Sequence, residues 1–342
     1  MCADDILEIH GASLETYLPS AKTPIQDARP LVTQRGVFID GSRQSGGLYG
    51  AALAGNPIGL GGNSWDRNAS MSGLRLATGT YSITDADLSL PADGMGRVVI
   101  GRSYNPRQDS SGQYNSNGYQ GENWFQLAQP ELVLYEGGTD DEDMVYIVYG
   151  ADRFIAFQRA GESSDEFKGK NGAAGVVQYF NETESDEPDT YTYTDQVGNE
   201  FVFFGFDGDA SPASGQLWKI SDPGGNTLFV GDATTGSTAI SSGYDGSGRM
   251  TTMYDDADRR YSFTYSGSTI GGAKRLTEVE AETKSGGTWA SPTGLATVGL
   301  VEYDYYTSDG DSYGDAGDLK TVTITTPMTD SGVDLVREAV QQ

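Results

Sequence analysis

Short runs of β-branched and aromatic residues, separated by turn-forming stretches, follow one another along most of the chain. Runs such as RVVIGRSYN, ELVLYEG, MVYIVYG and EFVFFGF are divided by stretches such as PADGMG, GGTDDED and DGDASPASG. In the run YSFTY, Tyr261, Phe263 and Tyr265 fall on one face of a strand and Ser262 and Thr264 on the other, because side chains alternate along a strand. This pattern predicts an all-β fold of consecutive antiparallel β-hairpins in curved sheets.

The strand pattern begins at about Leu74, and the part of the chain before it is different. Residues 1–70 are rich in small residues and Gly, as in AALAGNPIGLGGNSW, and show no clear period. They are predicted to form an irregular N-terminal segment. No long stretch places apolar residues at i, i+3, i+4 and i+7, which argues against a helical domain.

The composition agrees with this prediction and limits the partners. Gly accounts for 47 of the 342 residues, beside 20 Tyr, 12 Phe and 4 Trp, a mixture that suits short strands with tight turns. Acidic residues outnumber basic ones 49 to 22, a formal net charge of −27. A surface this negative repels nucleic acids and anionic membranes, so we expect neither as a partner and no membrane insertion. No segment has the apolar length needed to span a bilayer.

Cys2 and His10 are the only cysteine and histidine of the chain. An intrachain disulfide is excluded, and a zinc site built on Cys and His nearly so. Ser-His-Asp or Cys-His catalysis would need His10, which lies in the irregular segment. We therefore predict no catalysis, no cofactor and no metal centre. The start MCADDILEIH does not have the pattern of a signal peptide, so we expect export by another route or a chain that is a piece of a longer protein.

A Tyr-Asp motif with an Arg five residues after the Tyr occurs twice, ten residues apart. Its residues are Tyr244, Asp245, Gly248 and Arg249 in the first copy and Tyr254, Asp255 and Arg259 in the second. Tyr buries its ring and keeps its hydroxyl bonded, Asp caps a turn, and Gly supplies a positive φ. Arg can stack on a neighbouring Tyr or reach a carboxylate. A motif that recurs, with a structural use for every member, indicates scaffold rather than a catalytic site.

The first copy, with Met250 after its Arg, resembles the Y-D-x-x-G-R-aliphatic core of the Rhs/YD-repeat family. The second copy has Asp258 where that family has Gly. A third unit lacks the Asp after Tyr265, and a fourth has Asp318 in place of Arg.

Upstream stretches resemble, in order, the segment that precedes such repeats. They are DLSLP (Asp87–Pro91), RSYN (Arg102–Asn105), GENW (Gly121–Trp124), in which Asn stands directly before the Trp, and WKISDPGGNTLFV, which resembles an I-x-D-x-x-G-N unit. The likeness covers roughly residues 78–325.

The resemblance implies part of a YD-repeat β-shell, wound from a long ribbon of hairpins. It divides the chain into the irregular segment 1–70, a β-rich lead-in module at 71–235, YD-type hairpin repeats at 236–326, and a truncated end or linker at 327–342. It implies a non-catalytic, secreted or cell-surface protein whose partners are further repeats or a C-terminal toxin or effector that the shell encloses or delivers.

Other functions remain open from the sequence. A cell-surface adhesin that binds carbohydrate through Trp65, Trp124 or Trp289 is the main alternative, with glycans as partners. The acidic stretch SDGDSYGDAGDLK places Asp309, Asp311 and Asp315 like part of a calcium loop, but Tyr313 and Lys320 occupy two ligand positions of that loop. Paired carboxylates of a glycosidase are a third possibility, which predicts two acids with mutually perturbed titration in one cleft.

Overall fold

The computed structural model describes residues 74–75, 80–81, 83–92, 96–105, 118–121, 123–151, 153–170, 173–181, 188–206, 213–231, 243–309, 313–326 and 335–340. These residues contain twenty-two β-strands and a short 3-10 turn at Asp140–Glu142. The strands are β1 Leu74–Arg75, β2 Thr80–Tyr81, β3 Ile83–Ala92, β4 Gly96–Tyr104, β5 Trp124–Gln126, β6 Glu131–Tyr135, β7 Met144–Gly150, β8 Arg153–Arg159, β9 Glu166–Gly169, β10 Val176–Phe180, β11 Thr190–Thr194, β12 Glu200–Phe204, β13 Leu217–Ser221, β14 Thr227–Val230, β15 Thr252–Asp255, β16 Arg259–Tyr265, β17 Leu276–Thr283, β18 Gly286–Thr288, β19 Ser291–Thr293, β20 Ala296–Tyr305, β21 Leu319–Thr326 and β22 Leu335–Val340.

One antiparallel sheet of fifteen strands dominates the structure, which confirms the predicted all-β fold of hairpins. Strands β6 to β17 stand in it in chain order, followed by β20, β21 and β22. The small hairpin β18–β19 leaves the sheet between β17 and β20, and β3–β4–β5 and β1–β2 form two further sheets. Neighbours in sequence are therefore neighbours in space along almost the whole sheet, as expected where short turns join successive strands.

The core lies along the face on which the alternating apolar residues meet. In β16, Tyr261 and Phe263 are buried, Ser262 is half-buried and Thr264 is exposed, as the alternation predicts. The same cluster contains Phe157, Phe201 and other aromatic side chains from the first half of the sheet. Each large ring buried on a short strand removes a large apolar area from water.

The first eight strands of the large sheet, β6 to β13, curl so that β6 contacts the residues directly before β13. Glu131 of β6 forms an isolated antiparallel bridge with Gln216, and the Leu132 N–H donates to the Gly215 carbonyl at 2.7 Å. The sheet β3–β4–β5 touches both ends of the large sheet, because β4 and β5 contact β7 while β3 contacts β20 and β21. The upstream hairpins are thus held against β7 near one end of the large sheet and against β20 and β21 near the other.

Two of the predicted segment boundaries can be compared with the strands of the large sheet. Residues 1–70 and the boundary at 235/236 lie outside the described residues. The large sheet continues from the lead-in module into the repeats, since β14 pairs with β15. In the last segment, 327–342, β22 pairs with β21 along its whole length.

Candidate functional site

The first Tyr-Asp motif forms a closed turn. The Asp245 carboxylate accepts hydrogen bonds from the backbone N–H of Ser247 at 2.8 Å and of Arg249 at 3.1 Å. The Gly248 N–H donates to the Asp245 carbonyl at 2.9 Å, and Gly248 has a φ of 73°, as predicted for this position. The carboxylate thus replaces the partners that the backbone of a tight turn lacks.

Arg249 completes this turn through its side chain. Its Nε donates to Asp245 at 2.7 Å, and its guanidinium lies 5.0 Å from the centroid of the Tyr265 ring. Both contacts that the sequence suggested for this Arg are therefore present. Burial alone would raise the pKa of Asp245, but the hydrogen bonds from Arg249 and the turn backbone outweigh it and lower that pKa.

The second motif repeats the turn in a more buried setting. Asp255 accepts from the Ala257 N–H at 3.0 Å, and from Arg259 through its N–H at 3.2 Å and its Nε at 2.8 Å. Asp258 takes the position of Gly248 with a φ of 59°, a conformation that Asp tolerates better than most residues. The Tyr261 hydroxyl donates to Asp255 at 2.9 Å. This carboxylate accepts four hydrogen bonds.

Two more copies of this turn occur upstream, with Asn in place of Arg. Asp195 accepts from the Asn199 backbone at 2.9 Å and from its side-chain amide at 2.8 Å, and Asp222 has the same two contacts with Asn226 at 2.9 and 2.8 Å. The D-x-x-G-N pattern of both copies is visible in the sequence, at Asp195 and at Asp222. The common feature is a fifth residue whose side chain carries an N–H donor, Arg or Asn.

The two motif tyrosines have different positions. Tyr244 is buried, and its hydroxyl donates to the Leu217 carbonyl at 2.5 Å. Burial raises its pKa well above the ordinary value. Tyr254 lies half-buried against Trp289 of the β18–β19 hairpin, with ring centroids 5.7 Å apart. The structure therefore brings Asp and Arg together in each motif, while the Tyr side chains serve separate packing surfaces.

A buried ion pair joins the upstream hairpin β3–β4 to β20. Asp87 and Arg102, from the DLSLP and RSYN stretches, form a salt bridge, and the Tyr303 hydroxyl of β20 donates to Asp87 at 2.9 Å. The two charged residues are 5% and 0% exposed. Burial raises the pKa of Asp87, and the contacts with Arg102 and Tyr303 oppose that rise. The sequence pattern does not predict this contact.

Arg275 holds a second junction. Its guanidinium donates to the carbonyls of Gly118 and Ile270, and the next N–H, of Leu276, donates to the Tyr119 carbonyl at 2.6 Å. The short segment 118–121 is thus fixed to the start of β17. The sequence did not predict this contact, because the turn before Arg275 differs in length from the motif turns and a second basic residue, Lys274, precedes Arg275.

The structure also locates the alternative candidates. Asp309 accepts a hydrogen bond from the Ala316 N–H at 3.1 Å, and Asp311 lies outside the described residues. No group of three or more Cys, His, Asp or Glu side chains suited to a metal ion occurs in the described part of the chain. Trp124 is 5% exposed, which corrects its interpretation as an exposed aromatic platform, because its ring packs against Tyr104. Trp65 is outside the described residues.

A shallow groove on the large sheet holds the best-placed pair of carboxylates. Glu278 of β17 stands directly opposite Glu302 of β20, in a groove of about 320 Å³ that Thr264 and Thr323 also line. Partial burial, then the nearby Glu280 and Glu302, raise the pKa of Glu278. A catalytic pair of acids needs a shifted pKa, and of these two carboxylates Glu278 has one.

Comparisons with known proteins add little. No family model matches the chain, and no curated protein matches it. Among solved structures, a porin-like protein from Bacteroides uniformis has a TM-score of 0.19 and 10% identity, covering 63% of this chain and 96% of that one. A TM-score this low carries no structural or functional inference. No helix within the described ranges is long and apolar enough to cross a membrane.

Replacing Gly248 with Val tests the turn geometry. We expect a loss of about 2 kcal/mol in the free energy of unfolding, because a β-branched residue resists the positive φ of this position. Gly246→Val in the same turn is the control, since a side chain there meets nothing within 4 Å. We expect it to cost less than about 0.5 kcal/mol. Equal losses in urea unfolding of the two variants would contradict the assignment.

Proposed function

We propose that the chain is a non-catalytic structural part of a secreted or cell-surface YD-repeat shell that encloses or delivers a C-terminal toxin or effector. The observation that carries the proposal is the use of the motif side chains. The carboxylates of Asp245 and Asp255 each accept three hydrogen bonds from donors of their own turns, and Arg249 and Arg259 are paired with them. Groups engaged in this way stabilise hairpin corners and have little capacity left to bind a substrate.

The enclosing role is tested on the gene beyond codon 342. We expect the reading frame to continue through further YD units into a divergent C-terminal domain. In the full-length product, that domain should resist a protease that digests it quickly when it is expressed alone. A stop codon after Gln342, or equal digestion rates, would contradict the shell.

The absence of catalysis is tested at the groove, where the structure offers the strongest opposing candidate. We expect no turnover of a panel of aryl glycosides of different sugars. We also expect Glu278→Gln and Glu302→Gln to match the wild type. Glu136→Gln, an exposed carboxylate directly after β6, is the control. Reproducible hydrolysis that either groove variant abolishes, with folding intact, would establish an enzyme.

One observation keeps glycan binding as the second candidate. Trp289 is half-buried, so part of its surface is open, although Tyr254, Arg260 and Lys284 lie against its ring. Binding on a glycan array that Trp289→Ala abolishes, and that the buried Trp124→Phe leaves unchanged, would favour an adhesin over a shell.

A further inference from the structure

The contact that closes the eight strands β6 to β13 is short and polar. Glu131 and Leu132 on one side meet Gly215 and Gln216 on the other, and we call these four residues the seam. The seam contains a single bridge, whereas β11 and β12 pair along five residues. The Leu132 N–H bonds across it to the Gly215 carbonyl. The seam is therefore held by fewer backbone hydrogen bonds than a pair of neighbouring strands such as β11 and β12.

A carboxyl group sits in this contact without a cationic partner in its surroundings. Glu131 is half-buried as a residue, with its carboxyl end turned among the neighbouring segments. The carboxyl group is hydrogen-bonded to the Gln216 amide, whose oxygen accepts from Gln129 at 2.6 Å. Burial raises the pKa of Glu131, and the bond from Gln216 only partly opposes this. An amide partner leaves a buried carboxylate far less compensated than an ion pair does.

The groups that face Glu131 from the neighbouring segments do not supply the missing charge. Segment 118–121 brings Tyr119 near it, and the first motif brings Tyr244; burial raises the pKa of both phenols, which keeps them neutral. Arg249 lies in the same region but is bound to Asp245. On β7, the residue opposite Glu131 is Val148. The seam thus closes most favourably around a neutral carboxyl group.

We propose that the seam is an acid-tightened closure, which holds β6 against the chain before β13 at low pH and loosens as the pH rises. A carboxyl group whose pKa is raised on folding is protonated in both states below its ordinary range, so it costs nothing there. As the pH rises through that range toward the raised value, the group ionises readily in the open seam but must stay protonated in the closed one, so closure weakens. This inference does not depend on the proposed function.

Amide hydrogen exchange of Leu132 measures seam opening directly, because its N–H bonds across the seam. We expect its protection factor, corrected for the intrinsic rate, to fall by about tenfold or more between pH 4.5 and 8, a tenfold change for each pKa unit of difference. The Phe263 amide, bonded to Thr251 in the repeats, is the reference for global opening. Glu131→Gln should remove the fall at Leu132, and Glu136→Gln should leave it.

A second variant keeps the inference testable if Glu131→Gln behaves unexpectedly. Glu131 and Gln216 are direct cross-strand neighbours, so Glu131→Cys with Gln216→Cys, in a Cys2→Ser background, places a disulfide across the seam. Since the carboxyl group is gone, Leu132 protection should not fall between pH 4.5 and 8 in the oxidised or the reduced variant, and oxidation should raise it at both pH values. A protection factor at Leu132 that is flat in the wild type, or that falls equally in Glu131→Gln, would overturn the inference.

Discussion

Arg102→Met is expected to lower the free energy of unfolding by about 3–5 kcal/mol at pH 7, because it leaves a buried carboxylate without its counter-ion. Arg102 is fully buried and Asp87 is 5% exposed, so water cannot replace the lost partner. The Tyr303 hydroxyl remains bonded to Asp87 and offsets only part of the loss. The measurement is urea unfolding followed by tryptophan fluorescence.

The double variant Asp87→Asn with Arg102→Met separates the lost ion pair from lost packing. Without a buried charge, it should recover at least half of the loss. The single variant should also recover in part at pH 5, since burial without Arg102 raises the pKa of Asp87 further and lets the group become neutral. A loss below about 1 kcal/mol, or a double variant as unstable as the single one, would show that this pair does not hold the upstream hairpin to β20.

Asp255→Ala is the second substitution with a large expected effect, about 3 kcal/mol. It removes the acceptor for the Arg259 side chain and the Tyr261 hydroxyl, and it leaves the Arg259 charge buried without its ion pair. Two backbone N–H groups of the turn, of Ala257 and Arg259, lose their acceptor as well.

Asp222→Ala is the matched control, because Asp222 closes the same kind of turn with a neutral partner, Asn226, near the surface. We expect it to cost about 1 kcal/mol, as for an ordinary cap. Equal costs at the two turns in urea unfolding would mean that burial and charge at the second motif add nothing. That outcome would remove the physical reason for an Arg in the motif.

Local sequence rules were sufficient to predict the strands and the turns between them. Alternation in YSFTY placed Tyr261 and Phe263 inside, and the Asp-x-x-Gly-Arg spacing led to the positive φ of Gly248 and the Arg249 contacts. These features depend on residues within a few positions of one another. For the same reason, the chain-order arrangement of the strands followed from the short turns.

Contacts between distant parts of the chain could not be predicted in this way. Asp87 and Tyr303 meet across 216 positions, and Gly118 meets Arg275 across 157. The sequence pattern around each of these four residues does not specify a partner so far away along the chain. Trp124 shows the same limit, since its burial results from Tyr104 and the core rather than from its own short strand.

The central claim is that the Tyr-Asp motif residues are scaffold. The most direct test is the unfolding free energy of four conservative variants, Asp245→Asn, Arg249→Lys, Asp255→Asn and Arg259→Lys. Scaffold residues predict a loss in every case, and larger losses at the more buried Asp255 and Arg259 than at Asp245 and Arg249. Substitution of residues that serve binding or catalysis often increases the stability of the protein. Unchanged or increased stability across the four would contradict the claim and identify the motif as a site.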